Sequence, residues 1–140
     1  MQILVDASVW LDYFTGKATP EADHLNALIG NAALVVADVV LLEVLQGLPD
    51  ENHRRQAREA LGKFWLAEIS GFDLAEKTAM NYHALRARGV EVDLNQCRIA
   101  TFCLEQGFEL LHSSDGYEAL ERHLGLRRFA ALEPVTENSL

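Results

Sequence analysis

Residues 3–10, ILVDASVW, hold the reading that decides the fold. Ile3, Leu4 and Val5 form a short apolar run with β-branching at its ends, which suits a strand buried on both faces. Asp6 closes that run. A carboxylate in such a place is costly unless a hydrogen bond, a proton or a cation stabilises it. The residues from Val9 to Phe14 predict a helix, with Asp6 or Ser8 as its cap.

Working outward, the same pattern recurs. Pro20-Glu21-Ala22 has the composition of a helix first turn, and the helix is predicted to run to about Gly30. Ala33 to Ala37 is a second apolar run, and Asp38 then opens VVLLEVLQG, a helix stopped by Gly47 and Pro49. Residues 51–64 are charged and helical, and Trp65 to Ile69 suit a short strand. Asp73 is expected to cap a helix from Leu74 to about Arg88, ended by Gly89. A further helix covers Leu94 to Gln106, stopped by Gly107. Glu109 to His112 form a strand broken by Ser113-Ser114-Asp115-Gly116, and a last helix runs from Tyr117 to Leu124. Short strands alternating with helices imply βα units, a mainly parallel sheet and a three-layer α/β/α domain. One domain is expected over 1–132, followed by a polar tail over 133–140. In such folds ligands bind beyond the carboxyl ends of the strands, where Asp6 and the Ser113–Asp115 turn both fall.

Composition narrows the function. The 140 residues are 49% hydrophobic and 24% charged, an ordinary globular balance. The formal net charge of -9 excludes a protein that grips nucleic acid by bulk electrostatics. Any nucleic-acid contact must be local, brief, or helped by metal ions or a basic partner. Cys97 and Cys103 fall on different faces of one predicted helix, which predicts reduced core thiols rather than a disulfide. The opening MQILVDAS has no basic n-region, and no apolar stretch approaches the ~20 residues of a membrane span. A soluble cytoplasmic protein is expected.

Glu43 is the second anomaly, a charge set within VVLLEVLQG. Alone, it reads equally as the partner of an arginine or as one polar edge of its helix. Paired with Asp6 it points elsewhere. Hard cations want oxygen ligands, and Mg²⁺ is commonly held by one or two carboxylates with water and substrate phosphates. Clustered carboxylates repel each other unless a cation lies between them.

These stretches resemble a known family. ILVDASVWLDYF is similar to the opening of PIN-domain ribonucleases, in particular the VapC-type toxins of bacterial toxin–antitoxin pairs. The resemblance continues through LLEVLQG, where that family carries a glutamate, and through IATFCLEQGFELLH, similar to its late helix and following strand. The resemblance implies a PIN-like fold and a Mg²⁺- or Mn²⁺-dependent endoribonuclease silenced by a cognate antitoxin. It implies metal-binding carboxylates at Asp6 and Glu43, with Ser8 supporting the site. It also implies a homodimer, no membrane association, and DNA contact only through the antitoxin.

The second half departs from the family pattern. The position three residues before Ile99-Ala100, usually an acid, is Gln96, and the acid expected two residues after His112 is replaced by Ser114. Asp93 and Asp115 are the acids able to complete the site, Asp115 as a third metal ligand. The alternatives are that Asp93 caps its helix and that Asp115 is a turn residue before Gly116. Gln96 and Ser114 are polar groups able to hydrogen-bond metal-bound water. The competing function is a PIN-fold module that binds RNA or a partner protein with cleavage weakened. A haloacid-dehalogenase-like phosphatase ranks lower, since it requires a second aspartate where Ser8 stands. Two small basic groups, Arg54, Arg55 and Arg58 and Arg86 with Arg88, read as solvated helix faces or as RNA or antitoxin contacts. His112, at a strand end, reads as a packed residue or an acid–base group. Trp10, Tyr13 and Phe14 make the first helix aromatic.

Overall fold

The computed structural model describes residues 2–130; the tail 133–140 lies outside the described residues. Its strands are β1 Gln2–Val5, β2 Ala33–Ala37, β3 Trp65–Ala67 and β4 Glu109–Leu111. Its helices are α1 Ala7–Thr15, α2 Pro20–Leu28, α3 Asp38–Gly47, α4 Glu51–Leu61, α5 Phe72–Ala87, α6 Leu94–Gln106 and α7 Glu118–Leu124. The strands form one four-stranded sheet in the order β3-β2-β1-β4. Every pairing is parallel. The α/β class therefore holds, with helices flanking the sheet.

The register explains the position of Asp6. Leu4 pairs with Val35 on one side and Leu110 on the other, so β1 is central. Ile3, Leu4 and Val5 are all fully buried, as a parallel strand covered on both faces demands. The Asp6 N–H continues the ladder by donating to the Leu111 carbonyl at 2.9 Å. Asp6 is thus the first residue beyond the central strand, and the N-cap of α1.

Most element ends fall where local chemistry put them. Leu48, before Pro49, is extended and closes α3. Gly107, at φ 72°, ends α6 in the left-handed conformation that glycine adopts without strain. The start of α5 departs from expectation. Gly71 is its N-cap, with no side-chain cap bond, and Asp73 sits inside the first turn. The Asp73 carboxylate instead meets Lys77 at 3.0 Å, and Lys77 also reaches Glu105 on α6 at 2.6 Å. The last helix also divides: Asp115–Tyr117 form a short 3₁₀ turn before α7. Cys97 and Cys103 are both buried and free, and burial, with the nearby Asp6, pushes the Cys103 thiol up to about 12. No helix among the described residues is long and apolar enough to cross a membrane.

Candidate active site

At the carboxyl end of β1, a cavity of about 450 Å³ is lined by Asp6, Ser8, Glu43, Asp93, Gln96 and Ser114, together with Ala7, Leu11 and Gln46. Each side chain arrives by a separate route. Asp6 and Ser8 come from the strand-to-helix turn, Glu43 from the middle of α3, Asp93 and Gln96 from the first turn of α6, and Ser114 from the turn after β4.

Asp6 is only 6% exposed and is held at both oxygens. Ser8 donates to Oδ2 through its hydroxyl at 2.6 Å and its N–H at 3.2 Å. The Tyr117 hydroxyl donates to Oδ1 at 2.7 Å. Tyr117 is itself fully buried, and its ring lies 4.6 Å from the His112 ring. Burial, and then the negative charge of Asp6, push the Tyr117 phenol far above its ordinary range, so it stays a donor at any physiological pH. Sequence reading missed Tyr117 in this role. No local pattern marks it, because its partner lies 111 residues away.

Glu43 is half-buried, while its neighbour Leu42 is 66% exposed, so α3 is less enclosed than its apolar sequence implies. Its partner is an amide rather than an arginine: Asn95 donates to Oε1 at 2.8 Å. Burial raises the Glu43 pKa, the Asp6 and Asp93 charges add to the rise, and the Asn95 bond opposes it. Asp93 is the cap of its helix, and its position also borders the cavity. It accepts the Gln96 N–H at 2.9 Å.

The two neutral positions are joined. The Gln96 amide donates to the Ser114 hydroxyl at 3.0 Å, and Ser114 in turn accepts the Gly116 N–H at 3.2 Å. A side chain at Gly116 would run into the Gln96 carboxamide. Asp115 does not line this cavity. It opens the 3₁₀ turn facing solvent, because that turn draws Tyr117, two residues on, inward to Asp6. His112 is 1% exposed; Nε2 lies 3.0 Å from Glu121, and Nδ1 accepts the Ser114 N–H at 3.3 Å. His112 thus serves as a buried prop for the turn rather than a group facing the cavity.

Among the described residues, no group of three or more His, Cys, Asp or Glu side chains converges tightly enough to enclose an ion with protein atoms alone. The donor set still fits a hard divalent cation. Such an ion accepts one or two carboxylates, and takes its other ligands from water and substrate phosphate. Asp6 and Glu43 supply two such carboxylates to one cavity roomy enough for water.

An open parallel sheet, with a carboxylate-lined cavity beyond the carboxyl end of β1, defines an α/β protein with an acidic cavity. The chain belongs to the PIN-domain family, whose model matches residues 3–122. Ribonuclease VapC11 of Mycobacterium tuberculosis and VapC ribonuclease Mb1587 of Mycobacterium bovis are each 26% identical over 129 residues, which span 89% of this chain and 96% of the relative. Solved structures with the same fold include the Rickettsia felis VapBC2 complex bound to a DNA fragment from its promoter. It matches with a TM-score of 0.73 at 13% identity, over 92% of this chain and 98% of that one. Mycobacterium tuberculosis VapC20, a toxin that cleaves the sarcin–ricin loop, matches with a TM-score of 0.63 at 14% identity, over 84% and 94%.

Proposed function

We propose that this protein is a VapC-type ribonuclease toxin that hydrolyses RNA phosphodiester bonds with a divalent cation held by Asp6 and Glu43. The observation that carries the reading is the meeting of Asp6, Glu43 and Asp93 in one cavity at the end of the central strand. Like charges gathered around a space with room for water favour a cation there. The chemistry supplied by bound Mg²⁺ or Mn²⁺ is activation of water and neutralisation of charge developing on phosphate oxygens.

The chain's own residues set the stage for that chemistry. Ser8 and Tyr117 hold the Asp6 carboxylate in a single orientation: Oδ2 accepts twice from Ser8 and Oδ1 once from Tyr117, which leaves one lone pair of Oδ1 directed elsewhere. Asn95 orients Glu43 and balances part of its repulsion from Asp6. Asp93 adds negative potential at the rim. The Gln96–Ser114 pair presents polar atoms to substrate and water without adding charge. Asp115, outside the cavity, has no ligand role in this reading.

An acidic protein of this kind acts with partners. VapBC complexes among the fold's neighbours support a cognate antitoxin, and the antitoxin would carry any DNA contact. Exposed apolar side chains at Leu42, Trp65, Leu66 and Met80 support a second copy or that antitoxin as their cover. Residues 1–132 are read as a single domain acting in the cytoplasm.

A second reading is favoured by Gln96 and Ser114: a binding module with cleavage weakened. One titration separates the two. Calorimetric Mn²⁺ titration of the partner-free protein is expected to give saturable binding that Asp6→Asn removes, with RNA cleavage lost in the same variant. Absence of binding in the folded wild type refutes the metal-dependent reading and leaves the binding module.

A further inference from the structure

Beside the acidic cavity lies a second one, of about 330 Å³, whose walls include Ile69, Ser70, Gly71, Thr78, Leu94 and Arg98. The first turns of α6 separate the two: Asp93 and Gln96 face the acidic side, and Leu94 and Arg98 the other. Leu94 and Arg98 are four residues apart, about 6 Å along the helix axis.

Three features of this cavity, and Phe72 next to its wall residue Gly71, lack a partner among the described residues. Arg98 is half-buried and makes no hydrogen bond or ion pair among the described residues. A guanidinium drawn from water without a carboxylate is costly, and its planar fork suits phosphate. The 16-residue helix α5 starts at this cavity with a glycine N-cap and no side-chain cap bond, and the space around Gly71 is open. Its free first-turn N–H groups and helix dipole favour an anion. Thr78, another wall, is 5% exposed and has a hydroxyl with no hydrogen-bond partner among the described residues. Phe72, the first residue of α5, is 92% exposed, a large aromatic face that folding does not use. Two acids adjoin this wall and both are engaged: Asp38 accepts the Val39 and Ile69 N–H groups at 2.9 and 3.0 Å and the Ser70 hydroxyl at 2.9 Å, and Asp73, in the first turn of α5, pairs with Lys77 at 3.0 Å.

We propose that this cavity is a nucleotide subsite for single-stranded RNA: Arg98 and the first-turn N–H groups of α5 take a backbone phosphate, and Phe72 stacks on an adjoining base. A chain of net charge -9 needs such a local cationic contact to hold RNA beside its acidic site. The proposal rests on the ribonuclease reading above and extends it to how the strand is held.

The test is fluorescence anisotropy with an end-labelled single-stranded RNA in EDTA, where binding is read without cleavage. Wild type, Arg98→Gln and Phe72→Ala are compared over a range of salt, with gel filtration of each. Arg98→Gln is expected to weaken binding about tenfold and to reduce the salt slope by about 0.7, the value for one phosphate contact on a single strand. Phe72→Ala is expected to weaken binding at least about fivefold with the slope unchanged. Binding and slope left intact by Arg98→Gln overturn the subsite alone. Failure of the wild type to bind RNA, in EDTA or with non-activating Ca²⁺, overturns the subsite and the ribonuclease reading together. A wild-type dimer that either variant converts to monomer overturns the subsite in favour of a contact between copies of the chain.

Discussion

The bond from Tyr117 to Asp6 supports the most direct test of the site's construction. Tyr117→Phe removes one hydroxyl and keeps the ring against His112. The lost bond is short, at 2.7 Å, and ends on a carboxylate that is 6% exposed, so water has little room to replace the donor. Hydrogen bonds to charged groups contribute about 1.5–3 kcal/mol, and a value near the middle of that range, about 2 kcal/mol, suits this one. With a slope near 2 kcal/mol per molar, typical of small domains, the urea midpoint should fall by roughly 1 M. The control is a double-mutant cycle with Asp6→Ala, which also loses the α1 cap. In that background Tyr117→Phe should cost almost nothing, because the hydroxyl has lost its acceptor. The coupling should then equal about 2 kcal/mol. Mn²⁺ affinity in the single variant should also fall, since Asp6 is held from one side only. A cost below about 0.5 kcal/mol, or an equal cost in both backgrounds, refutes the argument that Tyr117 positions Asp6.

Three further outcomes follow from the same geometry. Glu43 has a raised pKa in the folded chain, so its ionisation opposes folding when no metal is bound. The metal-free fold gains from a neutral Glu43 below 4.5, the ordinary value, and loses that gain as pH rises through the raised one. Glu43→Gln should therefore raise the urea midpoint in EDTA at pH 7 but not at pH 4; an equal effect at both would sink the assignment. Replacing Gln96 and Ser114 together by aspartate should tighten Mn²⁺ at least tenfold, read by calorimetry, while lowering the stability of the metal-free protein, because two added charges join Asp6 and Glu43; unchanged affinity would show that these positions do not face the ion. Cys97 and Cys103, buried and, for Cys103, shifted to about 12, should resist a thiol reagent at pH 8 until the protein is unfolded; rapid native-state labelling would contradict the packing around them.

Some of this protein is written in local sequence. Ile3-Leu4-Val5 and Ala33–Ala37 are strands because short β-branched runs, closed by an acid and followed by a helix, have few other ways to bury themselves. The ends of α6 are local too, since Asp93 at one end and Gly107 at the other satisfy backbone groups within a few residues. Asp6 and Glu43 were legible as candidate site residues because a charge in an apolar segment is an energetic anomaly that needs no partner to be noticed.

What local pattern could not supply is who meets whom. Asp73 has the spacing of a cap, yet α5 begins earlier, at Gly71, and the Asp73 carboxylate meets Lys77, which Glu105 of α6 also binds, so the helix start beside Arg98 has no side-chain cap. Asp115 and Tyr117 occupy one short turn, and only the packing of that turn against β1 decides that the tyrosine goes in and the aspartate out. Asn95 finds Glu43 across 52 residues and Tyr117 finds Asp6 across 111. Such pairings depend on the sheet order β3-β2-β1-β4, which sets β1 beside β4 and brings the turn after β4 to the first carboxylate. Sequence by itself determined the strands, most of the caps and the two anomalous acids, because those follow from free energies within a few residues. Beyond the local bonds from Ser8 to Asp6, tertiary structure decided the hydrogen-bonded shell around the acids, because its other members sit at distances between segments that the chain's local chemistry leaves free.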